Sequence, residues 1–136
     1  MIHLMKLSVG TEDVADLAEW QASARAKGAD GLPRHITRMW PKRADEVLAG
    51  GSIYWVIKGV LLCRQRIVRV DEVDRGDGIS RCAIVLDPEV IRTRSAPRRP
   101  FQGWRYLDPK DAPPDLGGSG AGEEDLPPEL KRELAG

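Results

Sequence analysis

Arginine and aromatic residues recur together at three places in this chain: RHITRMWPKR at 34–43, YWVIKG with RQRIVR at 54–69, and RRPFQGWRY at 98–106. A guanidinium is a planar fork of donors that can meet two phosphate oxygens at once, and a nearby ring offers a stacking face to a base. The pairing is the chemistry of anion and single-strand recognition. On this reading Arg64, Arg66, Arg98, Arg99 and Arg105 are the candidate phosphate contacts, with Arg38 and Lys58 beside them. Trp55 or Trp104 is the candidate stacking ring. The competing reading is architectural: large aromatics bury themselves and arginine stems pack over them.

Other chemistries find less support. His3, His35, Cys63 and Cys82 are the only His and Cys residues, with no C-x-x-C and no H-x-x-x-H pair, so no metal and no other cofactor is expected. Cys63 lies in an apolar strand, where burial raises a thiol's pKa and blunts its nucleophilicity. GGSGAG at 117–122 lacks the lysine of a phosphate loop and follows no strand, so it reads as a linker. The acids Asp71, Glu72 and Asp74, and the pair Asp45-Glu46, read as solvated surface. His35, between Arg34 and Arg38, is the alternative proton carrier if the chain is a small enzyme acting on a nucleotide-like anion. A third reading is a protein-interaction adaptor that uses its acidic tail.

These residues must be held by one modest domain, since the chain has 136 residues. No apolar run approaches the roughly 18 residues of a membrane span, and the N-terminus has no leader-like pattern. A cytoplasmic protein with no membrane partner is expected. The zero net charge is segregated: residues 34–105 hold 15 Lys/Arg against 8 Asp/Glu, a net of +7, whereas residues 106–136 carry −5. A basic middle with an acidic tail suits an anionic partner, RNA or a nucleotide. Nothing in the pattern sets an oligomeric state.

The element pattern follows from periodicity and turn residues. Residues 2–9 read as a buried strand, and Thr11 is the expected N-cap of a helix that stops near Gly28. A short helix is expected after Trp40, with Pro41 at its first position, ending at Gly50-Gly51. Lys58-Gly59 then reads as a two-residue hairpin turn. In the simplest register Trp55 lies opposite Leu62, so Trp55, Arg64 and Arg66 share one face. Residues 79–86 form a further strand, 90–94 a short one, and 97–107 an extended segment. Beyond Asp108 the composition turns to Pro, Gly and acids, which bury too little surface to order themselves. The expected architecture is a single α+β domain at 1–107 with a flexible acidic tail at 108–136. Its small curled antiparallel sheet, or partly open barrel, carries one N-terminal helix and one short helix.

Four segments in order, PRHITRMWPKRADEVL, GGSIYWVIKGVLLCRQRI, DGISRCAIVLDPEVIRT and RRPFQGWRYL, resemble the bacterial family catalogued as domain of unknown function 1489, typical of alphaproteobacteria. The resemblance implies a small stand-alone protein and brings no catalytic residues. At the level of fold the short helix, Gly-Gly and paired strands are similar to PUA-like barrels, including the ASCH and EVE groups, which often bind RNA or modified bases. The ASCH pattern G-x-K-x-x-E-x-R is not met after Gly51. The leading expectation is therefore a non-enzymatic RNA- or nucleotide-binding module.

Overall fold

The computed structural model describes residues 1–24 and 26–116. Seven strands and two helices follow one another: β1 (His3–Leu7), α1 (Val14–Ala22), β2 (Arg34–Thr37), α2 (Ala44–Leu48), β3 (Ser52–Ile57), β4 (Val60–Val73), β5 (Arg81–Leu86), β6 (Ile91–Pro97) and β7 (Trp104–Leu107). The strands form a curled, half-open barrel in the order β2-β5-β4-β3-β1-β7, with β6 also paired to β4.

The hairpin at its centre is set by two residues. Lys58 and Gly59 take φ of 51° and 81°, the double left-handed geometry of a type I′ turn, and Ile57 pairs with Val60. Two residues later the simple register fails. Val56 pairs with Leu61 but Trp55 pairs with Cys63, so Leu62 is an extra residue in β4. Such a bulge bends its strand and re-aims everything beyond it. A second irregularity, between Ile67 and Arg69, bends β4 again. The 14-residue strand thereby serves β3 and β6 with its first half and β5 with its second.

The sheet closes further by long-range pairing. β5 and β6 lie end to end along β4, Leu86 facing Ile67 and Ile91 facing Arg64. β1 runs parallel beside β3, the one parallel pair in an otherwise antiparallel sheet. The inner face gathers Leu4, Ile53, Trp55, Ile57, Cys63, Ile67, Ile84 and Leu86 into the main core. α1 caps the open side with Val14 and Leu17, and α2 adds Val47. A smaller cluster of Tyr54, Val56, Leu61 and Leu107 fills the outer face under Phe101 and Ala112.

Local signals were partly displaced. Asp13, not Thr11, caps α1, its carboxylate accepting from the Asp16 amide at 2.8 Å, while Thr11 Oγ1 pairs with Ser8 Oγ. α1 ends at Ala22, six residues before Gly28, and the segment at 34–37 is a strand that periodicity does not announce. α2 starts at Ala44, not Pro41. The stretch after Leu107 is held, contrary to the expectation of a loose tail from 108. Pro109–Asp111 form a 3-10 turn, the Arg94 amide donates to Pro114 O, and the Leu116 amide donates to Arg92 O. The remainder of the predicted tail, 117–136, lies outside the described residues.

Candidate functional site

An inner sheet face built only for a core would be apolar throughout. Here three sheet side chains break that rule: Lys6 on β1, Gln65 on β4 and His35 on β2. Lys6 pairs in register with both Trp55 and Trp104, and His35 with Ile84, which places Lys6 and His35 on the core side. Gln65 is completely buried. A fourth polar group, Gln21, comes down from α1 to meet Gln65.

Lys6, His35 and Gln21 line one cleft of about 710 Å³ between α1, the end of β1, β2 and β3. Trp55 forms part of its wall. The His35 ring stands edge-on to Trp55, with centroids 6.3 Å apart and planes at 87°. Burial, and then the Lys6 charge, lowers the His35 pKa to about 4, so the imidazole is neutral at pH 7. Burial also lowers the pKa of Lys6. Among the described residues Lys6 has no carboxylate within ion-pair distance, and its Nζ approaches Leu7 O at 3.4 Å.

Arg34 supplies a second cation. Its Nη2 donates to Asp30 at 2.5 Å, and its guanidinium lies across Gly28, where any side chain would collide with it. Its Nε is buried without a hydrogen-bond partner among the described residues. An orphan buried donor costs about 1–3 kcal/mol, and a structure keeps one only where something else compensates. At the rim Trp20 leaves 53% of its surface exposed, an unusual position for so large a ring. Asp16 and Glu19 complete the rim, giving it both signs of charge.

The arginine–aromatic row is distributed differently. Trp55 and Trp104 are each 5% exposed; Trp55 Nε1 donates to Gln65 Oε1, and Trp104 Nε1 to Met39 O, both at 2.8 Å. The bulge at Leu62 is the reason Trp55 turns inward while Arg64 turns outward, correcting the shared face expected for them. Neither ring is offered on the outer surface for stacking. Arg64 and Arg66 do share a face, along a second depression of about 450 Å³ with Asp87 and Glu89. Arg64 is engaged there by Asp115. Lys58, in the hairpin turn, pairs with Glu12. Arg98 donates to Pro97 O, and Arg105 lies 5.9 Å from the Phe101 ring centre. Arg38 and Arg99 are exposed. The structure thus joins His35 to Trp55, and Arg64 to Arg66, in two separate places.

Lys6, Trp20, Gln21, Arg34 and Gln65 were not singled out as binding residues by sequence. Two of the five left a signal: Lys6 as a lysine in mid-strand in IHLMKLSV, and Gln65 as a glutamine inside the apolar run LLCRQRI. Cys63 is fully buried and burial pushes its thiol up to about 12, which removes it as a nucleophile. Among the described residues no group of three or more His, Cys, Asp or Glu could hold a metal ion, and no helix is long and apolar enough to cross a membrane.

The family model described as protein of unknown function (DUF1489) matches residues 4–136. The chain belongs to that family. No curated protein and no solved structure matches it.

Proposed function

We propose that this member of the DUF1489 family binds a small anion carrying a planar ring, a nucleotide being the type case, in the cleft around His35. One observation carries the reading: Lys6 lines the cleft with no carboxylate at ion-pair distance among the described residues, its ammonium meeting only Leu7 O at 3.4 Å. A bound phosphate or carboxylate would supply the missing counter-charge in a partly desolvated site, where charge-assisted hydrogen bonds are strongest. The exposed Trp20 ring beside them offers a stacking face worth about 1–3 kcal/mol. A cleft for one ligand is favoured over a phosphate track along the arginine row, because Arg64 and Lys58 already hold carboxylates whereas Lys6 holds none among the described residues.

Calorimetric titration of the full chain with nucleoside monophosphates tests this. Binding that Lys6→Met weakens about tenfold or more, and that Arg64→Ala with Arg66→Ala leaves intact, is the expected result. No binding, or binding lost only with the two arginines, would overturn it.

A second reading, a small enzyme acting on such an anion, draws on His35. A neutral imidazole in a half-closed cleft is a ready proton acceptor, and none of its ring nitrogens is hydrogen-bonded by a described residue. His35→Gln would then abolish turnover of a nucleotide ester while leaving its dissociation constant within about threefold. Equal turnover by both proteins would exclude the role.

A further inference from the structure

We infer that Gln21 reads a carbonyl oxygen on the ring of the ligand, so that the cleft selects keto-bearing over amino-bearing nucleotides. The inference rests on the nucleotide reading above and specifies the substrate class within it.

The argument starts from a residue that has no choice. An indole nitrogen can only donate, so Trp55 Nε1, 2.8 Å from Gln65, must face the amide oxygen Oε1. At its other end the Gln65 amide lies 3.1 Å from Asp87 O, a backbone carbonyl that can only accept. These two contacts independently give Gln65 the same orientation. Its Nε2 has one proton left, directed at Gln21 2.5 Å away, so the Gln21 atom facing it must be the oxygen.

The polarity therefore passes on. With Oε1 committed to Gln65, Gln21 turns its NH2 group away, and that nitrogen has no hydrogen-bond partner among the described residues. Gln21 is 8% exposed and lines the cleft, so its unpaired donor is held rather than free to rotate. A lone amide can flip to suit either a donor or an acceptor. This one cannot flip without setting its NH2 against the Gln65 NH2, whose orientation two further hydrogen bonds fix. Lys6 and Arg34 already provide for the charged group, which leaves a neutral donor beside Trp20 for an oxygen of the ring. A carbonyl satisfies it; an exocyclic amine meets it donor to donor, leaving both groups unpaired.

Guanosine and adenosine 5′-monophosphate differ at the position concerned, carbonyl against amine, as do uridine and cytidine 5′-monophosphate. Calorimetry with the full chain should show the keto member of at least one pair bound about tenfold or more tightly. Gln21→Glu, which substitutes an acceptor for the donor, should collapse or invert that preference, and Gln21→Leu should abolish it while far-ultraviolet circular dichroism stays unchanged. Failure of all four nucleotides to bind would remove the nucleotide reading itself. Binding of all four without discrimination, or discrimination that survives both substitutions, would leave that reading standing and overturn this inference alone.

Discussion

Arg64 holds Asp115 through two guanidinium nitrogens, at 2.8 and 2.7 Å, while its third donates to Ser52 Oγ at 2.8 Å. A bidentate pair that is 22% and 34% exposed lies between a solvated surface contact and a buried one. It joins the first acid after the 3-10 turn to the central strand, beside the isolated bridge between Thr93 and Asp115. The row of arginines in β4 is therefore partly structural. Further along the same strand Arg69 is held as well, by Asp71 and Asp30.

Removing that clamp should be measurable. Asp115→Ala is expected to lower stability by about 1 kcal/mol in urea unfolding, given the pair's geometry and partial exposure. Ending the chain at Leu107 should cost more, since the backbone hydrogen bonds from Arg94 and Leu116 go with it. Unfolding midpoints identical to the full chain would show that 108–116 contributes nothing.

Breaking the buried amide chain should be costly at its centre. Gln65→Leu leaves the Trp55 indole N–H without its acceptor and the Gln21 oxygen without its donor. These two orphaned groups, with the Asp87 carbonyl that also loses its donor, predict a loss of about 2–4 kcal/mol. The double variant Trp55→Phe with Gln65→Leu should recover part of it by removing one orphan, and urea unfolding of the three proteins gives the coupling.

Acid should destabilise the fold through His35. Its pKa falls from 6.5 in the unfolded chain to about 4 in the folded one, so between those values the unfolded state binds the extra proton. Stability from this group is complete above pH 6.5 and is lost as pH falls toward 4, by up to about 3 kcal/mol. His3, also lowered by burial, acts in the same direction. His35→Gln should flatten the difference in unfolding free energy between pH 7.5 and pH 5. An unchanged slope would mean the imidazole is solvated.

Two glycines should fail for different reasons. Gly59 needs its left-handed backbone, φ 81°, and Gly59→Ala should cost about 1 kcal/mol although nothing crowds it closely. Gly51 is limited by space: a methyl there would overlap the carbonyl oxygens of Ile2 and Val47, both backbone, which cannot swing aside. Gly51→Ala should therefore lower the midpoint of thermal unfolding far more than Gly59→Ala.

The legible parts of this fold were local. Lys58-Gly59 announced its turn because left-handed geometry at two successive positions demands particular residues, and Asp87-Pro88 marked where a strand had to stop. The bulge at Leu62 was not legible, since LLCRQRI alternates plausibly with or without it, and one skipped residue moved Trp55 to the opposite face from Arg64. β2 escaped because four half-buried residues, RHIT, carry too short a pattern. The cleft escaped for a stronger reason. Lys6, Gln21, His35 and Trp55 come from four elements, brought together by a parallel β1–β3 pairing and by α1 closing the half-barrel. No spacing along the chain encodes that meeting; of the four, His35, Trp55 and the mid-strand Lys6 carried a hint of their own, and Gln21 carried none.

The central claim is that the cleft of His35, and not the arginine row, receives the ligand. The chain has four tryptophans, whose indole N–H groups give separate nitrogen-15 resonances. Titration of the labelled full chain with guanosine 5′-monophosphate should move the Trp20 and Trp55 signals, which line the cleft, and leave Trp40 and Trp104 in place. Shifts confined to Trp104 and the backbone amides of Arg64, Arg66, Arg98, Arg99 and Arg105, or no shift at all, would contradict the account.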